Sequence, residues 1–172
     1  APCPNDTATV SVTEIQAPWA GNDNNPFTLC NTSAPVNLIT ALGGSPNGGG
    51  SWLNPVNAPF PTGLFNPASG TSGLYKYIVP GTAPCANDTG FVTVVVNQQP
   101  NAGISGDSTV CSNAANVPLL SVLGGTPGGG GTWSPSIGGG TYDPGTGAPT
   151  TYTYTITALS PCVNVSAVAT MV

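Results

Sequence analysis

Leu42–Trp52 reads LGGSPNGGGSW, and 81 residues later Leu123–Trp133 reads LGGTPGGGGTW. The match extends without a gap from Cys30–Trp52 to Cys111–Trp133. A second block, Phe65–Val95, returns as Tyr142–Val172 at an offset of 77. The first residues match the end of the same unit, since Cys3-Pro-Asn-Asp-Thr aligns with Cys85-Ala-Asn-Asp-Thr and with Cys162-Val-Asn-Val-Ser. The chain is one closing segment followed by two whole units. Internal repetition at this spacing points to an array of modules and away from a single-site machine.

Between the repeated blocks the sequence alternates. Thr7–Ile15 (TATVSVTEI), Tyr75–Val79, Phe91–Val96, Tyr152–Thr157 and Ala167–Val172 carry β-branched and aromatic residues at period two, the pattern of half-buried strands. Val36–Leu42 and Val117–Leu123 are shorter apolar runs before the glycines. Helical periodicity is absent. Glycine (24) and proline (19) cluster with Asn and Ser between the runs, which is turn chemistry. About seven short strands per unit predict an all-β chain. The expected architecture is two tandem immunoglobulin-like β-sandwich domains, residues 17–99 and 100–172, preceded by an extra N-terminal β-strand segment over 1–16. Pro18-Trp-Ala-Gly matches Pro100-Asn-Ala-Gly, so Asn97–Ala102 reads as a short, proline-stiffened linker, and the two sandwiches are expected to lie end to end. Trp52 and Trp133 open a strand after the glycines and read as core residues between two sheets.

Charge is scarce: 4% of residues are charged, Lys76 is the one basic residue, and the formal net charge is −5. Ordinary domains carry about a quarter charged residues. One lysine cannot neutralise a run of phosphates, which argues against nucleic acid as a partner. The surface must be hydrated by other groups or covered by neighbours; Ser, Thr and Asn, covalent glycans, or polymerisation would each serve. No apolar stretch is long enough for a membrane-spanning helix. The start Ala1-Pro2-Cys3 reads as a mature end or an interior cut.

There is no histidine, so Ser-His, Cys-His and His-metal sites are impossible. Asp6, Glu14, Asp23, Asp88, Asp107 and Asp143 fall on separate turns and form no evident acid-base pair. The glycine blocks lack the Gly-Lys-Ser/Thr of a phosphate loop. Asn22-Asp-Asn-Asn offers oxygen ligands for calcium, but an ordinary turn explains it as well. The reading is of a non-enzyme without cofactor or metal.

Cys30 and Cys111 open their units, whereas Cys85 and Cys162 precede the closing strands. Matching them within units predicts the disulfides Cys30–Cys85 and Cys111–Cys162, each worth about 3–4 kcal/mol in the chain-entropy model, and an oxidising compartment. Cys3 has no upstream mate and is expected to bond another molecule or to mark a missing unit. Its segment is either the tail of an upstream unit or a strand lent to another subunit. Sequons stand at Asn5, Asn31, Asn87 and Asn164, and three of these occupy one position, two residues after a cysteine. The same asparagines also suit Asx-turns.

The order of glycine block, Trp, TYDP, TYTYTIT and Pro-Cys before a final strand resembles the immunoglobulin-like repeats of large secreted and surface proteins of Bacteroidota, many of them gliding-associated or exported by the type IX pathway. The resemblance covers both units and the N-terminal segment. It implies spacers, stalks and adhesive fibres at the cell surface or outside the cell. It further implies O-glycans on Asp-Ser/Thr motifs, which Asp6-Thr7-Ala8 and Asp107-Ser108-Thr109 fit and Thr89, followed by Gly90, does not. The expectation is a structural subunit of an extracellular filament, a head-to-tail homopolymer bearing glycans. The alternative is an adhesin or stalk module that grips carbohydrate through exposed aromatics such as Trp19.

Overall fold

The computed structural model describes residues 2–172. The chain is all-β, and each repeat contributes six strands. The first repeat holds β1 (Asn24–Cys30), β2 (Val36–Asn37), β3 (Ser51–Leu53), β4 (Leu64–Phe65), β5 (Gly73–Val79) and β6 (Asp88–Asn97). The second holds β7 (Gly106–Ser108), β8 (Val117–Pro118), β9 (Thr132–Ser134), β10 (Thr141–Tyr142), β11 (Thr150–Ile156) and β12 (Val165–Met171). Each repeat builds one four-stranded sheet, in the order β1-β6-β5-β3 or β7-β12-β11-β9, and one two-stranded sheet, β2-β4 or β8-β10. These are β-sandwich-like domains with the same strand order.

Period-two alternation decides which side chains enter each core. Strand β5 buries Tyr75, Tyr77 and Val79, and β6 buries Val92 and Val94. Strand β12 buries Ala167, Ala169 and Met171 against Tyr154 and Ile156 of β11. The small sheet closes over the large one through edge-on rings: Phe65 meets Tyr75 at 5.6 Å and Tyr142 meets Tyr152 at 6.3 Å between centroids. Strands β11 and β12 pair antiparallel from Thr150↔Met171 to Ile156↔Val165, whereas β12 and β7 run parallel. The apolar runs before the glycines are not whole strands. After two paired residues each turns into a short 3₁₀ segment, Leu38–Ala41 or Leu119–Ser121, which drops Leu38 or Leu119 fully into its core.

The glycine blocks have a specific partner. Tyr77 Oη donates to the carbonyl of Asn47 (2.8 Å) and accepts the amide of Gly50 (3.0 Å). Tyr154 repeats both bonds with Gly128 (2.8 Å) and Gly131 (2.9 Å). A Cβ at Gly50 would stand 2.6 Å from the Tyr77 ring and 2.7 Å from the carbonyl of Ile78, so the loop can approach the phenol only as glycine. Burial pushes the Tyr75 phenol above its ordinary range, which keeps it neutral.

One expectation is corrected. Thr7–Ile15 forms no strand, and residues 2–17 are exposed. Its counterparts β6 and β12 are central strands with a neighbour on each side. An alternating segment without a ladder partner leaves its apolar side chains in water, as at Val10 and Val12 (87% and 88% exposed). By its contacts the chain divides into two compact units. The first takes in the chain up to Phe27, Val36–Phe65 and Gly73–Thr93; the second takes in Thr28–Pro35, Asn66–Ser72 and Val94–Val172. Ala1, which opens the expected segment 1–16, lies outside the described residues.

Candidate functional site

Cys30 is bonded to Cys162, with a Cα–Cα distance of 4.9 Å. Cys85 and Cys111, expected to pair with these two, are free, as is Cys3. The expected bridges Cys30–Cys85 and Cys111–Cys162 fail for a reason of strand direction. Strand β1 runs alongside β6 in the same sense, with Phe91 N–H on Asp23 Oδ1 near one end and Asn31 N–H on the carbonyl of Asn97 at the other. Cys30 therefore sits at the far end of β6, while Cys85 precedes its near end. The ten residues of β6, at about 3.3 Å each, separate the two positions by roughly 30 Å. A disulfide spans Cα atoms no more than about 7 Å apart. In the second repeat, Cys111 follows β7 beside the end of β12, where Val110 N–H bonds the carbonyl of Val172. Cys162 precedes the start of that same strand.

Cys30 and Cys162 both belong to the second compact unit, as does Asn97–Gln99, which lies between their turns. Asn31 N–H donates to Asn97 O (2.9 Å), Asn31 Nδ2 to Gln98 Oε1 (2.9 Å), and Gln99 N–H to Asn31 Oδ1 (2.8 Å). On the other side Asn97 Nδ2 donates to Ser160 O (2.7 Å), Gln99 Nε2 donates to Val163 O, and Val163 N–H returns to Gln99 Oε1 (3.3 Å). The bridge closes over these amides, and both cysteines are buried. This junction makes no chemistry of its own. It is a covalent and hydrogen-bonded clasp on Asn97–Gln99.

The remaining candidates scatter. Asn87 Oδ1 caps Gly81 N–H (3.0 Å) and Asn164 Oδ1 caps Ala158 N–H (2.9 Å), so the two sequons share one exposed turn with Asx geometry. Asn31 spends its amide inside the junction. Asn5 and Thr7 are exposed, and Ser108 is half-buried in β7. Trp19 is 44% exposed and lies on its own glycine loop, exchanging backbone and side-chain bonds with Asn47 (2.7 and 2.8 Å). Asp23, in the stretch read as a possible calcium loop, accepts the Phe91 amide instead. Among the described residues no group of acids and cysteines gathers as a metal site, and no helix is long and apolar enough to cross a membrane. The clasp on Asn97–Gln99 was missed from sequence; the adjacent Gln98-Gln99 between two cysteine turns was its one visible sign.

No protein-family model matches the chain, and no curated protein is similar to it.

Proposed function

We propose that the chain is a structural subunit of an extracellular filament or surface fibre, assembled end to end from disulfide-stapled, glycosylated immunoglobulin-like domains. The observation that carries this reading is the clasp on Asn97–Gln99. A linker held by a buried disulfide and hydrogen bonds on both sides is built to transmit load, because pulling on it must break covalent and polar contacts together. The disulfide also suits an oxidising environment such as the cell exterior. A surface with one basic residue favours close packing of copies without charge repulsion between lysine-rich faces. Head-to-tail contacts that do not close on themselves generate fibres. Glycans on Thr7, Ser108 or the sequons Asn5, Asn87 and Asn164 would hydrate the exposed faces.

Negative-stain electron microscopy of native material tests this. Uniform fibres with an axial repeat are expected; dispersed monomers would overturn it. The exposed face of Trp19 supports a second reading, a carbohydrate-binding stalk, which glycan-array binding lost on Trp19→Ala would favour.

A further inference from the structure

We propose that Cys85 and Cys111 are the two halves of a second clasp, in which Cys111 of one copy is bonded to Cys85 of the next. The proposal rests on the end-to-end reading and supplies its joint. The bond present in the structure has a rule: the opening cysteine of one repeat takes the closing cysteine of the following repeat. Cys111 is the opening cysteine of the second repeat and Cys85 the closing cysteine of the first. Both are free, and each keeps one backbone feature of its bonded counterpart.

Cys85 Sγ lies 3.5 Å from the carbonyl of Ile15, as Cys162 Sγ lies 3.4 Å from the carbonyl of Asn97. Ile15 and Asn97 are the same repeat position, since Pro18 aligns with Pro100. Cys85 is thus already seated on its linker, as Cys162 is, and lacks only the opening cysteine. Cys111 is exposed, and its carbonyl closes a turn onto Ala114 N–H (2.9 Å), the turn that Cys30 closes onto Ser33 N–H (2.9 Å). It stands beside Val172, the match of Val95. Ala17 replaces Gln99 and Ser112 replaces Asn31 at this second joint. The side-chain clasp is absent there, which leaves the covalent bond to hold it.

Closure needs an oxidant, and a low-molecular-weight disulfide serves. The Cys111 thiolate attacks it and releases one small thiol; the Cys85 thiolate of the next copy then attacks the Cys111 sulfur and releases the second. Two protein thiols are oxidised and one small disulfide is reduced to two thiols.

The test uses the full chain carrying Cys3→Ser, in a glutathione redox buffer. Non-reducing electrophoresis should show a ladder, and mass spectrometry after a non-tryptic digest should yield a peptide joined through Cys85 and Cys111. Adding Cys85→Ser or Cys111→Ser should leave monomers, and mixing the two double variants with different isotope labels should restore dimers only, each joined across labels. Peptide mapping of the unsubstituted chain checks the result without any variant. A ladder that survives both double variants, a Cys30–Cys85 peptide, or no ladder would overturn the proposal. Fibres by electron microscopy from Cys85→Ser chains would sink this joint and leave the filament reading standing, whereas loss of fibres in every form would sink both.

Discussion

The two repeats share a strand order but differ around their tryptophans. Trp52 is 5% exposed, whereas Trp133 is only half-buried, although each stacks on its tyrosine at 4.9 Å. The first repeat has four more residues between its tryptophan and the next strand, in the stretch Asn54–Gly63. That stretch folds back on β3, with Phe60 N–H on the carbonyl of Trp52 (2.8 Å), and lays the Phe60 ring 5.3 Å from Tyr75. The second repeat has Gly138–Gly140 in its place. Its indole then lines an open cleft of about 280 Å³ with Pro118, Leu120, Gly130, Gly140 and Tyr154. One frame therefore accommodates a stretch four residues shorter by leaving its indole more exposed.

A second contrast separates the bonded cysteines from the free ones, and it carries the largest expected effect. Cys162→Ser opens a loop of 132 residues and should cost up to about 5 kcal/mol in the chain-entropy model. Chemical denaturation followed by far-ultraviolet circular dichroism measures it. Cys85→Ser in the isolated chain should change the midpoint little. Equal losses in both would show that Cys85, too, is bonded in the folded chain.

The stretch Asn54–Gly63 predicts unequal tryptophans. Trp52→Ala should cost about 4 kcal/mol, as removal of a buried ring does, and Trp133→Ala roughly half of that, because water already reaches its cleft. Equal costs would mean that the Phe60 segment contributes no cover. Tryptophan fluorescence quenching by acrylamide in single-tryptophan variants reads the same difference directly, with Trp133 the more accessible.

Where the repeats agree, substitutions should agree. Gly50→Ala and Gly131→Ala each drive a Cβ to within 2.7 Å of a tyrosine ring and a backbone carbonyl. Each should lower stability by about 2–3 kcal/mol, the range for overpacking. A much smaller loss at either site would mean that the loop can lift off the phenol.

The extent to which the sequence foretold this fold follows from what each signal encodes. Period-two alternation located β5, β6, β11 and β12 because a strand with one buried face must alternate. The glycine blocks read as turns, yet their tyrosine clamp went unread, because Tyr77 lies 27 residues beyond Gly50 whereas Tyr154 lies 23 beyond Gly131, and the unequal spacing hides the shared contact. The cysteine pairing misled because repeat matching reports equivalence and carries no information on which end of a strand a residue occupies. Only the parallel course of first and closing strands sends Cys30 away from Cys85. Thr7–Ile15 shows the limit of alternation itself: the pattern prepares a strand, but a ladder needs a neighbour.

The smallest effect makes the sharpest control. Tyr77→Phe removes one donor and one acceptor, leaving the Gly50 amide and the Asn47 carbonyl without their phenol. Tyr154→Phe does the same to Gly131 and Gly128. Each loss should cost about 1–2 kcal/mol, since the ring and its packing stay while two part-buried polar groups lose a partner. The clamp distances differ by no more than 0.1 Å between repeats, so the two costs should match even though the tryptophans do not. A larger cost at Tyr154 would mean that the open cleft beside it has weakened the loop, and that the shorter stretch acts through the clamp as well as on the indole.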